Sequence, residues 1–461
     1  MADFWDYSVW GGIILFAVLL LSLLVANTLK RKIPLLKKSL IPTSVLGGLL
    51  LLLLSVIYKS STGTELFNTA VFGGNGMMLL EAITYHSLAI GFIATSFKPS
   101  KEKINKKRTV EVFNTGLTTV ATYLIQGIVG LIITLLISSF IVKDFFPAAG
   151  ILLPFGFGQG TGQAMNYGNI YEMDYGFVGG KSFGLTIAAL GFLSASLGGV
   201  IRLHVLKVKG KIQPNSDETA EQFATDDIQT ADEIPMNGSI DKITVQMGFV
   251  FAAYLAAYFL MYGLGLLLPG LKSILYGFNF LFGVLVAVAI NSLLSVLRRK
   301  EIMKRQYVNS FLMNRISGFF FDIMIVAGIA AIQLDVLKGY GAILLLLGIV
   351  GMAITYWYVL LVCRKLYPDY TEEQFLAMYG MLTGTASTGI ILLREVDKGF
   401  TSNAAENLVY QNLPAIVFGF PMMIVATMAP KIPLETLGVI VAYFVVLNII
   451  LFRSKIFKKK V

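Results

Sequence analysis

Long apolar runs separated by short polar segments dominate the sequence. Eleven of these runs contain roughly 20 residues or more, the length that an α-helix needs to cross the hydrocarbon core of a bilayer. The pattern therefore predicts an all-α polytopic membrane protein. Its eleven spanning helices are predicted at residues 7–29, 40–58, 77–97, 110–142, 178–206, 243–268, 274–297, 310–334, 341–362, 407–429 and 434–452.

Two further apolar stretches, at residues 147–171 and 373–395, are interrupted by glycine and threonine, and the first also by proline. Each is long enough to enter the membrane but too interrupted to cross it as one helix. Irregular backbone is tolerated at membrane depth only where it lines a cavity or is buried in protein. Both stretches are therefore predicted to form re-entrant hairpins.

The composition agrees with a chain whose surroundings are largely hydrocarbon. Hydrophobic residues make up 56% of the 461 positions and charged residues only 14%, with a mean hydropathy of +0.74. A soluble domain carries about 25% charged residues. The single cysteine, Cys363, excludes an internal disulfide and is expected to be an apolar filler. Asp3 and Asp6 precede the first apolar run in place of a basic segment, so a cleaved signal peptide is not predicted.

The basic residues segregate by side when the N-terminus is placed outside. The predicted outer segments then hold six of the 37 Lys and Arg residues: Lys59, Lys143, Lys181, Lys272, Lys338 and Lys431. Cytoplasmic loops carry an excess of Lys and Arg, so the N-terminus is predicted outside and the C-terminal tail inside. The net charge of +10 is thereby explained by topology, and nucleic-acid binding is not predicted.

The segment 208–241 is polar and acidic and predicts a flexible cytoplasmic linker. It separates two halves of the same plan, each with four spans, a broken hairpin and a fifth span. Because five is odd, the second half is predicted to insert upside down, as in many secondary transporters. The predicted domains are a first repeat (1–206), the linker (207–242), a second repeat (243–430), and an extra helix with a basic tail (431–461).

The hairpins carry the candidate binding residues. A short echo, Gly-Thr-Gly at 160–162 and Gly-Thr-Ala at 384–386, occupies the same place in both halves. Free N–H groups at a half-helix start can hold a carboxylate, and freed carbonyls can ligate a cation. The alternative is that these small residues only allow close helix packing. The candidate substrate-binding residues are Gln159, Gly160, Thr161, Gly162, Gln163, Asn166, Gly384, Thr385, Ala386, Ser387 and Thr388.

Asp322 lies well inside the eighth predicted span. An intramembrane carboxylate is costly and by default a functional hypothesis. We expect Asp322 to ligate sodium, with Thr383 and Gly384 as further ligands. The alternatives are a proton relay and a structural carboxylate paired with a hydroxyl or with Arg315. His86, in the first half, is expected to be a hydrogen-bonded core histidine rather than a coupling group.

Several short motifs together resemble the sodium/glutamate symporter family. They are Ile41-Pro42 with Gly47-Gly48-Leu49-Leu50, the stretch 89–92, the run 158–162 and the run 384–388. The resemblance extends from about residue 10 to 430. Where the family typically has G-H-G-T-G in the first hairpin, this chain has Gln159 in place of histidine. Its second hairpin lacks the proline of the family's G-A-T-P-T.

The resemblance implies two inverted five-helix repeats with re-entrant loops, sodium-driven glutamate uptake, and a dimer with an elevator-like motion. The predicted function is sodium-coupled symport of glutamate or a similar small acidic solute, in the cell membrane. The alternatives are a proton- or sodium-coupled carrier of another amino acid or carboxylate, and an ion channel. An enzyme is not predicted, because no H-E-x-x-H, paired-aspartate or nucleophile-elbow motif occurs.

Overall fold

The computed structural model describes residues 3–97, 106–210, 233–235, 240–397 and 401–453. Within these ranges the regular structure is helical, and the β pairing is an isolated bridge between Glu233 and Gln306. The predicted all-α class is therefore confirmed. Short helices, Pro34–Lys38 and Lys272–Gly277, connect longer ones.

We number the longer helices in chain order. They are α1 (Tyr7–Lys32), α2 (Thr43–Thr62), α3 (Gly76–Ser96), α4 (Lys106–Phe140), α5 (Leu152–Tyr175), α6 (Gly180–Val208), α7 (Lys242–Leu267), α8 (Asn279–Arg299), α9 (Ser310–Ala330), α10 (Gly341–Leu366), α11 (Thr371–Thr383), α12 (Ala386–Arg394), α13 (Ala404–Tyr410), α14 (Asn412–Met428) and α15 (Pro433–Leu451).

Ten helices in the described part of the chain are long and apolar enough to cross a membrane. A bent pair brings the number to eleven, which agrees with the predicted count. The tenth span, predicted as one helix at 407–429, is this pair: α13 and α14 meet at a bend of 53°. Pro414 lies in the first turn of α14, where its missing N–H removes no helical hydrogen bond.

The contacts divide the chain into two compact units. The hairpin unit comprises Met1–Met77, Ile104–Pro214 and Gly328–Val461, and so contains both broken segments. The second unit comprises Met78–Lys103 and Asn215–Ala327. Each unit therefore takes helices from both halves of the sequence.

Helices α4 and α6 form the interior of the hairpin unit. About two thirds of the apolar stretch of α6 is buried, against 22% for α15. A cluster of aromatic and aliphatic side chains that includes Tyr367, Phe375 and Leu392 fills the space beside α6. The broken segments are thus held against the best-covered helices of the unit.

The second unit has its own apolar core, in which Ile93 and Phe97 of α3 cluster with Val250, Ala287 and Met313. Most of the predicted linker, 207–242, lies outside the described residues. Among its described residues, Glu233 is buried.

The buried Glu233 carboxylate accepts hydrogen bonds from Lys242 Nζ at 2.7 Å and from Asn309 Nδ2 at 2.6 Å. These two donors compensate the charge that burial takes out of water, which is why an acidic residue is stable at this place.

Candidate functional site

The first broken segment, α5, is a helical hairpin that turns at Gly160. The backbone there has φ 81° and ψ −173°, a conformation that residues with a Cβ rarely adopt. The rings of Phe155 and Tyr167 are stacked with centroids 3.7 Å apart. In a straight helix these residues would be separated by about 18 Å along the axis. The arms 152–159 and 161–175 therefore fold back on each other, in agreement with the predicted hairpin shape.

Both arms of this hairpin lie against the first half of α6. On the second arm, Gly168 approaches Gly180, and a methyl group on Gly184 would lie 2.3 Å from the Ala164 carbonyl oxygen. On the first arm, a methyl group on Gly156 would lie 2.8 Å from the Ala188 nitrogen. The small residues therefore do serve close packing, and this packing also directs the hairpin tip toward the middle of α6.

The second broken segment is a hairpin formed by α11 and α12. Its arms touch at Gly389, where a methyl group would lie 2.3 Å from the Ala377 carbonyl oxygen. The side chain of Thr385 caps α12 by accepting a hydrogen bond from the Thr388 N–H at 3.4 Å. A helix of nine residues, α12, thus begins at the tip with its first N–H groups directed away from its own carbonyls.

This hairpin lies against the second half of α6. Tyr379 donates from its hydroxyl to the Ser194 carbonyl oxygen at 2.8 Å. At the base of the hairpin, Arg202 donates to both carboxylate oxygens of Glu372, at 2.8 Å and 2.6 Å. The two hairpins therefore approach from opposite ends of α6.

The tips of the two hairpins meet at Gly191. A methyl group at this position would lie 2.7 Å from the carbonyl oxygen of Thr383, in the second hairpin. It would lie 3.1 Å from Cα of Phe157, in the first hairpin. Only a residue without a side chain leaves room for both backbones at this point of α6.

Helix α4 holds both tips from another side. The Tyr123 hydroxyl donates to the Gly158 carbonyl oxygen at 3.1 Å. Three residues further on the same face, Gln126 Nε2 donates to the Leu382 carbonyl oxygen at 3.0 Å. One turn of α4 thus donates a hydrogen bond to a backbone carbonyl oxygen of each hairpin, near the end of that hairpin's first arm.

Both hairpins belong to one compact unit, and their tips meet at Gly191. Thr161, Gln163 and Asn166 are buried on the second arm of the first hairpin, next to its tip. At the second tip Thr383 and Thr388 are buried, whereas Ala386 and Ser387 are exposed. Two half-helix N-termini, at Thr161 and Ala386, are therefore present in one compact unit.

Gln163 has the most informative environment of these residues. Only 1% of its surface is exposed, and neither Nε2 nor Oε1 has a hydrogen-bond partner among the described residues. A buried polar group without a partner costs about 1–3 kcal/mol. Because native structures pair the great majority of such groups, the exceptions call for a functional explanation. An amide with both an unused donor and an unused acceptor is suited to a polar ligand.

Asp322 is not among the residues that the hairpin unit gathers. It lies on α9 in the second unit, with an exposed side chain. His86 is in the same unit, where Nδ1 and the Tyr254 hydroxyl are 2.7 Å apart. The expected hydrogen bond of His86 is therefore present, but the residue is exposed and not part of a buried core. The sodium-ligand role of Asp322 stays a prediction.

Sequence reasoning missed Gln126, Tyr123 and Gly191. An amide side chain inside an apolar span was the signal that could have identified Gln126, because polar groups inside a membrane helix are costly. Gly191 carried no signal, since glycine is frequent throughout this chain, which has 45.

Comparison with models of known protein families gives a match over most of the chain. The family model described as sodium/glutamate symporter matches residues 12–401 of the chain. A search of curated proteins found no match.

Proposed function

Since the chain belongs to the sodium/glutamate symporter family, a transporter family whose coupling ion is sodium, we propose that this multi-pass membrane protein carries glutamate or a similar small acidic solute together with sodium. The family supplies the class of activity, and the hairpin tips supply the candidate site. The observation that carries the assignment is that both hairpin tips meet at Gly191, while the amide of Gln163, next to the first tip, is buried and lacks hydrogen-bond partners among the described residues.

An anionic solute fits this site for electrostatic reasons. The first turn of a helix presents N–H groups that lack internal partners, and the helix dipole adds a partial positive charge there. The tip residues Thr161 and Gly162, and Ala386 and Ser387, provide two such groups of donors. We assign the carboxylates of the solute to these donors and to Gln163 Nε2.

Sodium is proposed to bind to oxygen atoms of neutral groups at the hairpin tips. The carbonyls that end the first arms of the hairpins carry the opposite partial charge to the N-termini. Thr383 and Gly384 lie at such an end, and the Thr383 carbonyl oxygen faces Gly191. Asp322 is proposed as a sodium ligand on separate grounds, because a carboxylate in a membrane-spanning helix is costly and by default functional.

Alternating access is proposed to occur by an elevator-like movement in a homodimer, with the hairpins re-entering the membrane from opposite sides as parts of two inverted repeats. The concentration of both hairpins in one compact unit supports this proposal. A carrier of this kind needs its solute-binding groups on the part that moves. The approach of the hairpins from opposite ends of α6 supports the inverted arrangement.

The test is counterflow in proteoliposomes with a panel of amino acids and dicarboxylates, with and without a sodium gradient. Saturable, sodium-dependent exchange that prefers glutamate is the expected result. Flux that does not saturate would identify a channel. Exchange that follows a proton gradient and ignores sodium would contradict sodium coupling.

The variant Gln163→Met tests the site in the same assay. We expect the KM for glutamate to rise at least tenfold, corresponding to about 1.4 kcal/mol, because the variant removes a buried donor and acceptor. Asn169→Met, on the exposed face of the same arm, is the matched control and should stay within twofold of the wild type. Equal KM values for the two variants would place the substrate elsewhere.

A further inference from the structure

Gln126 on α4 is fully buried at the tip of the second hairpin. Its Nε2 donates two hydrogen bonds, to the Leu382 carbonyl oxygen at 3.0 Å and to Thr355 Oγ1 at 2.8 Å. Its Oε1 has no hydrogen-bond partner among the described residues. The side chain therefore uses its donors to hold the hairpin and leaves its acceptor unused.

The orientation of the amide follows from its two partners. The Leu382 carbonyl oxygen can only accept a hydrogen bond. Thr355 donates its hydroxyl hydrogen to the Gly351 carbonyl oxygen at 2.7 Å, so toward Gln126 it also acts as an acceptor. Rotating the amide by 180° would set its oxygen against two oxygens. Oε1 must therefore point away from both groups.

Gln126 Oε1 differs from the neighbouring polar groups on α4, because those groups have side-chain hydrogen-bond partners. Thr119, two turns before Gln126, donates to Gln411 Oε1 at 2.9 Å. Thr115, one turn earlier, shares a hydrogen bond with the Tyr367 hydroxyl at 2.8 Å. Side chains from elsewhere in the hairpin unit thus provide partners along this face of α4 up to Gln126. The unsatisfied oxygen occurs where the face reaches the hairpin tip.

A buried carbonyl oxygen without a donor suits a positively charged group. A hard cation takes neutral oxygens as ligands, and an ammonium group donates hydrogen bonds to them. The site lies beside the C-terminal end of α11, where the last carbonyls carry partial negative charge. The environment therefore favours a cation and disfavours a carboxylate.

We propose that Gln126 Oε1 binds a cationic group that is transported together with the carboxylates of the solute. This group is either the coupling sodium ion or the ammonium group of the amino acid. The proposal rests on the proposed function. It extends the site from the hairpins to α4, and it makes Gln126 a binding residue that also anchors the second hairpin.

The test is thermal unfolding of the detergent-solubilised full chain. Sodium chloride is titrated against choline chloride, first without amino acid and then with L-glutamate or its des-amino analogue glutarate. The variant Gln126→Met keeps the length of the side chain and removes Oε1. Thr355→Val is the matched control, because it removes one partner of Nε2 and leaves Oε1 in place.

We expect Gln126→Met to raise the half-saturating sodium concentration at least tenfold, whereas Thr355→Val stays within threefold of the wild type. That result assigns the charge to sodium. An unchanged sodium titration with loss of the preference for glutamate over glutarate assigns it to the ammonium group. If Gln126→Met keeps both responses, or if Thr355→Val loses them equally, Gln126 is only an anchor and the proposal is wrong.

Gln126→Glu covers the case in which Gln126→Met does not fold. A carboxylate keeps an oxygen at this position, so the half-saturating sodium concentration should fall or stay within threefold. A folded Gln126→Glu protein that no longer responds to sodium would overturn the proposal.

Failure of the proposed function is distinguishable in the same data. A sodium response that depends on Gln126, without any response to glutamate, would sustain this inference and refute the proposed substrate. A wild-type protein that responds to neither sodium nor glutamate would refute both.

Discussion

Gly191 shows how one residue without a side chain permits a site to exist. Two backbones from different hairpins come so close to it that any Cβ would overlap the Thr383 carbonyl oxygen. Neither backbone can retreat easily, because Gly158 and Leu382 are held to α4 by hydrogen bonds. The close approach of the two hairpin tips therefore depends on the absence of a Cβ at Gly191.

Substituting alanine for Gly191 should therefore separate the tips. We expect the initial rate of sodium-driven uptake to fall at least tenfold, because overpacking a close contact costs about 1–3 kcal/mol and shifts the groups that bind the solute. Uptake into proteoliposomes at equal protein content is the measurement. Gly438→Ala, on a helix position with nothing within 4 Å, is the control. Wild-type uptake by Gly191→Ala would show that the tips tolerate separation.

Asp322 places a carboxylate in a membrane-spanning helix of the second unit, and its predicted role as a sodium ligand can be tested by removing the charge. Asp322→Asn keeps the shape and removes the charge. We expect the sodium concentration for half-maximal transport to rise about tenfold or more, corresponding to at least ~1.4 kcal/mol, since an amide oxygen attracts a cation less strongly. Apparent glutamate affinity at saturating sodium should change less.

The control for this variant is Asp144→Asn, in an exposed loop. A proton relay predicts another outcome: the Asp322→Asn protein would lose the pH dependence of transport and keep its sodium dependence. Unaltered sodium and pH dependence would make Asp322 a structural carboxylate.

At the scale of elements, α6 organises the site. One helix carries the first hairpin on its first half and the second hairpin on its second half, so its length sets where the tips meet. The ion pair between Arg202 and Glu372 ties the base of the second hairpin to the end of α6, while the tip is held by α4. The second hairpin is thus anchored at both ends.

Breaking that ion pair should destabilise the hairpin unit. The Arg202 and Glu372 side chains are only 6% and 19% exposed, so Arg202→Met leaves a largely buried carboxylate unpaired. We expect a loss of about 3 kcal/mol, measured as a lower unfolding temperature in detergent. The reversed pair, Arg202→Glu with Glu372→Arg, should recover part of the loss.

The matched control is the exposed pair Lys107 and Asp369, whose side chains are 75% and 72% exposed. Lys107→Met should cost less than about 1 kcal/mol. A similar effect of the two substitutions would mean that the Arg202 pair does not anchor the hairpin.

At the scale of the whole molecule, contacts in the hairpin unit agree with the predicted sidedness of the loops. Lys59 pairs with Asp335, and both belong to segments predicted outside. The Lys59 ammonium, through its hydrogen bond, lowers the pKa of the Asp335 carboxyl below its usual value. Arg108 pairs with Glu406, and both belong to segments predicted inside.

We therefore expect the N-terminus to be extracytoplasmic and both the linker and the C-terminal tail to be cytoplasmic. Reporters that are active on only one side of the membrane, fused at each terminus and inserted within 208–241, measure this directly. A reporter inserted at position 144, in a predicted outer loop, is the control. Finding both termini on one side would contradict the count of eleven spans.

The amino-acid sequence by itself determined the membrane class, the number of spans and the two broken hairpins. These features follow from local properties: apolar runs of membrane length, and glycines where the backbone must turn. The candidate residues at the tips, such as Gly160 and Thr385, were found for the same reason. The bend between α13 and α14 was missed. The burial of Glu233 was also missed, because its partner Asn309 is distant in sequence.

Only the tertiary structure decided which segments form a unit and what each polar group contacts. The halves predicted from the sequence are contiguous, whereas the hairpin unit joins 104–214 to 328–461. The unused oxygen of Gln126 and the crowding at Gly191 exist only once α4, α6 and both hairpins have packed together. Hydrogen-bond satisfaction and close approach are properties of pairs of atoms, and no periodicity along one chain segment contains them.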